Sequence, residues 1–519
     1  MPIAFVGVDA TNFFCRRFRL TLMAMSAALL ASLSNATVQA QGSAALQSQI
    51  DQVKPRLIVL TDIGNEPDDQ MSFVRLLLYS NEIDIEALVA ATSTWQRQHT
   101  NPQTMREIIA AYADVRPNLE KHATGWPDPS LLEQAVTTGQ SAYGMEAVGL
   151  DKMSPGAEAI IRAVARPDPR PLWISIWGGA NTLAEALLYV RSTRTPEAVD
   201  AFVAKLKVYS ISDQDDAGPW IRREFPKLFY IVKPSPPNGE EYASATWTGI
   251  SGDVFYRNGE GADGSSVTNA WLQSHIRTKG PLGKHYPQFA YIMEGDTPSF
   301  LSLIGNGLNS DRDPSWGGWG GRYVFRQPYG ETHAIWTQGG DAGGRITSQD
   351  VVTGVDGRIH ISDQATIWRW RTAFQNDFAA RMDWTIKPFR KANHNPIAIV
   401  NGVGGTAPIL VDAQVGQPVV LDADMSHDPD GQKLTYRWIS YPEAGFEPGQ
   451  RMAEISIRGE RKGRATITPV ATCRARWIGP RPSCPDGIAH IILEVTDNGS
   501  PALTSYRRVI LTIHARKSD

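Results

Sequence analysis

The residues best suited to chemistry lie together near the start of the mature chain, in RLIVLTDIGNEPDDQMS (56–72). An apolar run at 57–60 ends in four carboxylates, Asp62, Glu66, Asp68 and Asp69, and a helical pattern follows through Phe73, Val74, Leu76 and Leu77. Carboxylates crowded this closely repel one another unless a cation sits between them. A hard ion that takes oxygen ligands suits them, and Ca²⁺ fits best. Capping, of a turn by Asp62 and of the helix by Asp68 or Asp69, accounts for one or two of these acids but not for the group.

Four further segments carry polar or aromatic groups. Trp177-Gly178-Gly179-Ala180-Asn181-Thr182 follows the apolar run 172–176, and its glycines let backbone approach a ligand closely; an ordinary turn explains it as well. The segment 210–220 offers Asp213, Gln214, Asp215, Asp216 and Trp220, acids and an amide for hydroxyls and an indole face for a sugar ring. The segment 293–300 places Asp296 before a proline-started helix, where capping is the simpler role. Trp316 and Trp319 stand in a run with four glycines, WGGWGG, apt for stacking on sugars, although core packing is the commoner fate of tryptophan.

Apolar runs at 57–60, 85–91, 172–176, 206–211, 228–232 and 289–293 alternate with helical stretches at 69–79, 102–113, 157–164 and 365–384. That alternation predicts βαβ units and an α/β fold with an open, mostly parallel sheet, whose ligand sites form beyond the carboxyl ends of the strands. Residues 387–396 are polar and proline-bounded and read as a linker. Beyond them the pattern is strand and turn only, as in the alternation of Leu434, Tyr436 and Trp438, which predicts an all-β sandwich.

The length of 519 residues requires more than one domain. With 51 basic and 54 acidic residues and no basic patch, nucleic acid is excluded as a partner. Arg16, Arg17 and Arg19, the apolar stretch 20–33 and Val38-Gln39-Ala40 form a cleavable signal peptide, 1–40, so export to the periplasm or the medium is expected, with no later membrane span. Of three cysteines, Cys473 and Cys484 remain after cleavage and are expected to form a structural disulfide.

The acidic loop resembles that of the nucleoside hydrolases, D-x-D-x-G-x-D-D, which binds Ca²⁺ and ribose hydroxyls. Asp62, Gly64, Asp68 and Asp69 match it, Leu60 replaces the first Asp, and two extra residues lengthen the loop. Gly178–Thr182 is similar to the family's G-P-L-T-N turn, and Asp296 to its late calcium ligand, with Gly295 where many members carry a His acid. The strings TDIGNEPDDQMS, SISDQDDAGPWIR and EGDTPSFL further resemble exported cellulose-binding proteins that join such a domain (54–390, after a 41–53 linker) to an immunoglobulin-like, PKD- or cadherin-like domain (391–519).

The resemblance implies a Ca²⁺-dependent hydrolase of a glycosidic, even N-glycosidic, bond. Metal ligands would be Asp62, Asp69, Asp296 and the Asn181 carbonyl. Asp62 would be the general base and Glu66 an acid for the leaving group. Asp68, Asp213, Asp215, Asp216, Trp220, Trp316 and Trp319 would hold the substrate. The alternative is a non-catalytic cellulose- or polysaccharide-binding protein that reuses the pocket. Either way the expected partner is a sugar or glycan, and a homo-oligomer is compatible with the sequence.

Overall fold

The computed structural model describes residues 53–235, 249–251, 261–338, 348–445, 452–473 and 484–516. The signal segment therefore lies outside the described residues. Strand β1 (Arg56–Thr61) is buried along its whole length. Its alternate residues feed two cores. Leu57 and Val59 join the helices Pro67–Leu77 and Pro102–Leu119 on one face. Ile58 and Leu60 join Pro155–Ala165 and Asn181–Thr193 on the other. A strand apolar on both sides is what a parallel sheet with helices on both faces demands.

Seven more strands complete this sheet: β2 (Asp84–Ala90), β3 (Val136–Thr138), β4 (Leu172–Ile176), β5 (Leu206–Ser210), β6 (Phe229–Ile231), β7 (Val324–Arg326) and β8 (Ile335–Thr337). The order is β3-β2-β1-β4-β5-β6-β8-β7, parallel throughout except for the edge pair β7–β8. The chain leaves β1 towards β2 on one side and β4 towards β5 on the other, so the topological switch point lies between β1 and β4. That crevice is where open α/β sheets bind ligands.

Two expectations fail here. Residues 289–293 form no strand; the chain makes only an isolated bridge between Ala290 and Ile292 around Tyr291, whose φ of 65° breaks extended backbone. The helix expected over 365–384 is two pieces, Ala365–Trp368 and Arg371–Trp384.

A hairpin, β9 (Asp350–Thr353) and β10 (Ile359–Ser362), precedes those helices. The C-terminal region is two sheets. One is ordered β11 (Ile409–Gln414), β17 (Thr504–His514), β16 (Asp486–Thr496), β13 (Thr435–Ser440). The other is β12 (Val419–Asp422), β15 (Arg464–Ala471), β14 (Glu454–Arg458). Their inner faces enclose Leu421, Trp438, Ile467, Ile491, Leu493 and Leu511. Cys473 and Cys484 are joined as a disulfide with Cα atoms 6.1 Å apart.

The two regions are tightly joined. Arg508 of β17 is buried and donates to the carbonyls of Leu308, Trp316 and Gly317 at 2.7, 3.0 and 3.0 Å. Asp350 accepts from Arg322, Arg369 and the Tyr441 hydroxyl at 2.7, 2.8 and 2.6 Å. The segment read as a linker is part of this joint. Asn393 donates to Asp497 at 3.0 Å, and His394 stacks on Phe389 and bonds Asp430.

Candidate functional site

Chain direction alone brings the acids together. Asp62 follows the last residue of β1, and the helix Pro67–Leu77 starts with proline at its first position and Asp68 and Asp69 in its first turn. Asp296 immediately precedes the short helix Thr297–Leu301. All four carboxylates are buried, Asp296 to 1% exposure. Asp68, Asp69 and Asp296 each offer an oxygen within 4.8 Å of the others. Asp62 faces the next strand end: a Cβ on Gly178 would lie 2.7 Å from its Oδ1, so only glycine lets β4 close against it.

The electrostatics follow. Burial, as the largest cause, pushes the Asp62 carboxyl up to about 6, with the nearby Glu66 adding to it and a Ser93 hydrogen bond opposing. Asp68 is held well above the carboxylate range by burial, then by Glu66 and Asp62. Asp69 is raised by burial and by Asp62 and Asp68, against a hydrogen bond from the Thr61 hydroxyl. Asp296 is raised by burial, then by Asp69, Asp68 and Asp62. Asp62 Oδ1, Asp68 Oδ1 and Asp296 Oδ2 are buried and accept no hydrogen bond among the described residues. Orphaned, mutually repelling oxygens at this spacing fit a hard cation, whose ligands are such oxygens.

A clamp that sequence reasoning missed holds Asp296 in place. Arg75, on the same helix as Asp68 and Asp69, pairs with Glu294 at 2.6 Å, both fully buried. Tyr286 and Thr297 hydroxyls also donate to Glu294, at 2.5 and 2.7 Å. The only local signal is an arginine inside the apolar run Phe73–Leu77, whose buried charge requires a partner.

A second wall adjoins the acids at the ends of β2, β4 and β5. Asn181 opens its helix. Its side-chain Nδ2 donates to Thr92 Oγ1 and the Ala142 carbonyl at 3.2 and 3.0 Å, and its Oδ1 is buried without a partner. Its main-chain carbonyl, expected as a metal donor, is that of the first helical residue, and helical carbonyls point along the axis away from the N-terminus. Asp215 accepts from the amides of Asn181 and Ala217, each at 3.0 Å, and burial still raises it to about 6. Gln96, in the loop of Ser93, is buried with neither amide atom hydrogen-bonded among the described residues.

Other residues expected to hold substrate sit elsewhere. Both Asp213 oxygens are taken by the Arg222 guanidinium, at 2.8 and 2.9 Å, which makes this a structural ion pair. Asp216 is exposed and accepts from the Met145 amide at 2.8 Å. Trp220 packs on Phe225 and under Arg191, in the last turn of the helix whose first residue is Asn181. Thirteen helical residues span about 20 Å, so this indole is far from the acids. Trp319 is 2% exposed, packed on Phe374 and Tyr506. Trp316 lies between His490 and Arg508. The glycine-rich loop thus lies in the joint to the β region, where a Cβ on Gly317 would fall 2.5 Å from the Tyr441 hydroxyl.

Comparison with known proteins then decides the family. A family model described as cellulose-binding Sde182, nucleoside hydrolase-like domain, matches residues 56–323. The chain belongs to this family. A second model, the C-terminal domain of the cellulose-binding protein Sde0182, matches residues 418–513. A solved nucleoside hydrolase-related protein from Saccharophagus degradans, described as associated with carbohydrate metabolism, shares 36% identity and a TM-score of 0.72 over 89% of this chain and 100% of its own. The effector protein XOO4466 aligns at 10% identity and TM-score 0.33 over 58% of this chain and 93% of its own. The PKD domain of KIAA 1837 aligns at 17% and 0.15 over 22% and 86%. Both are too distant to bear on the site. A search of curated proteins returns no match. Among the described residues no helix is long and apolar enough to cross a membrane.

Proposed function

We propose that this family member binds Ca²⁺ at Asp62, Asp68, Asp69 and Asp296 and hydrolyses a glycosidic bond there, acting on cellulose or a related glycan outside the cytoplasm. The observation that carries the reading is the set of buried carboxylates with orphaned oxygens, which is costly to fold unless a cation offsets it. A bound cation would supply the charge that holds sugar hydroxyls and acidifies water.

This chain's own residues do the rest. Asp62, at the end of β1, takes a proton as water attacks the anomeric carbon. The bond from that carbon to the leaving oxygen breaks, and Glu66, half-buried at the helix start, delivers a proton to that oxygen. Asp68 orients sugar hydroxyls, and Asn181, Asp215 and Gln96 form a polar floor that anchors the ring. The family's description as cellulose-binding supports a glycan ligand, and the N-terminal sequence supports export.

A hydrolysis screen of nucleosides, aryl glycosides and cello-oligosaccharides with and without Ca²⁺ tests the reading. Turnover that requires Ca²⁺ and is lost in Asp62→Ala supports it. No turnover with retained cellulose binding favours a non-catalytic glycan receptor. Gly295 speaks for that second reading, because no side chain can act as an acid from its position.

A further inference from the structure

The acidic site still lacks an aromatic face, because Trp220, Trp316 and Trp319 are packed elsewhere. Among the described residues the one exposed tryptophan is Trp95, at 45%. Tryptophan is highly buried on average, so an indole left in solvent is an informative exception. The cation nearest to it in the chain is turned away. Arg97 lies over the Tyr143 ring, 4.4 Å from its centroid, and donates to the Thr94 carbonyl at 3.1 Å.

Strand register puts Trp95 beside the acids. Thr61, the last residue of β1, pairs with Ala90 of β2, and the Ala91 amide donates to the Thr61 carbonyl at 2.7 Å. Ser93 then faces the Asp62 carboxyl. Its Oγ accepts from the amides of Trp95 and Gln96 at 3.0 and 3.1 Å, and its own amide donates to the Gln96 carbonyl at 3.1 Å. Three hydrogen bonds thus hold the turn 93–96 in one shape. Further along the same loop, the Asn101 side chain closes on the acidic loop where Gly64 leaves it room. The indole is a platform set in advance, and little ordering is needed to use it.

The surroundings narrow what can lie on it. Glu66 and Asp68 stand with Asp62, so an anionic ring is repelled, while sugar hydroxyls find acceptors. An indole face suits the apolar C–H face of a pyranose. A nucleobase would stack as well, but it departs with a proton delivered to its ring, and Gly295 beside Asp68 has no side chain to deliver one.

We infer that Trp95 stacks on the sugar ring adjoining the one held at the acids, so that the substrate is a neutral oligosaccharide of at least two rings. The inference rests on the glycan reading above. Trp95 touches the neighbouring ring and takes no part in proton transfer, which makes it a specificity residue.

The test compares cellotetraose with methyl β-glucoside, a single ring, on the full chain with Ca²⁺. Affinity is read as KM where the sugar is turned over and as Kd by calorimetry where it is only bound. In Trp95→Ala the affinity for cellotetraose is expected to fall about tenfold, as loss of one stacked ring does. Any kcat should stay within about twofold, and the preference for cellotetraose over methyl β-glucoside should shrink. Trp95→Tyr is expected to recover most of the loss. Tyr189→Ala, which removes an exposed aromatic from the helix Asn181–Thr193, is expected to match the wild type. Cellotetraose should also protect Trp95 from oxidation by N-bromosuccinimide, read by peptide mass spectrometry. Thermal melts check that each variant is folded. If the wild type neither turns over nor binds cellotetraose, the glycan reading fails and this inference with it. Wild-type affinity in Trp95→Ala, an equal loss for both sugars, or a Trp95 that cellotetraose leaves unprotected overturns the inference alone.

Discussion

Gly295 sits against Asp68 so closely that a Cβ on it would fall 2.7 Å from Asp68 Oδ2. The position where related hydrolases are expected to carry a histidine acid therefore has no room for any side chain while Asp68 is in place. Gly295→Ala is expected to displace Asp68, lose the calcium response and cost about 1–3 kcal/mol, as overpacking does. Calorimetric melts with Ca²⁺ and with chelator measure both effects, and an unchanged calcium response in the variant refutes the crowding.

Calcium is expected to raise the melting temperature of the wild type. Saturation at a hundred times the dissociation constant stabilises by about 2.7 kcal/mol. Asp69→Asn and Asp296→Asn are expected to abolish that gain. In chelator the same variants should melt higher than the wild type, because each removes one of the mutually repelling carboxylates. Equal calcium shifts in all three proteins would show that the ion binds elsewhere.

Asp213 is expected to be structural. Among the described residues, Asp213→Ala leaves the buried Arg222 guanidinium paired with Glu331 alone, at 2.6 Å, and should cost about 3 kcal/mol, the lower end for a broken buried pair. The calcium shift should persist. Denaturant melts with and without Ca²⁺ separate the two effects, and a stable variant that has lost the calcium response would return Asp213 to the site.

His490 makes the joint sensitive to acid. It is buried, and its Nδ1 lies 3.0 Å from Arg508 Nη1, so it must accept that hydrogen bond as a neutral ring. Burial first, and then the Arg508 charge, hold its pKa well below the ordinary value. A folded pKa below the unfolded one means that stability is complete above about 6.5 and is lost as pH falls, since only the unfolded chain takes the proton. His490→Gln keeps an acceptor for Arg508 and is expected to flatten the fall in stability below that pH. Melts of both proteins across that range measure the difference, and parallel curves would refute the assignment.

Much of this was legible in the residues themselves. The two-sided apolar run of β1 and the acids at its end are local patterns, and strand direction dictates that such acids face a common edge. Asp213 and Asp215 show where that legibility ends. They stand two residues apart in one loop, yet Asp213 is consumed by Arg222, nine residues on, while Asp215 binds the amide that opens another helix. Trp316 and Trp319 read as a platform because glycines surround them. Glycine equally permits close approach: Gly317 leaves room for Tyr441 and gives its carbonyl to Arg508, while Tyr506 packs on buried Trp319 and Arg508 on half-buried Trp316.

By itself, then, the sequence determined the parallel α/β sheet, the all-β region after it, and carboxylates at strand ends, because periodicity and chain direction are properties of neighbouring residues. Only the tertiary structure decided which carboxylates meet and which are neutralised. Arg75 and Glu294, 219 residues apart, bring Asp296 to Asp68 and Asp69. The reason is physical: the energy of a buried charge depends on what lies within a few ångströms, and those neighbours come from distant parts of the chain.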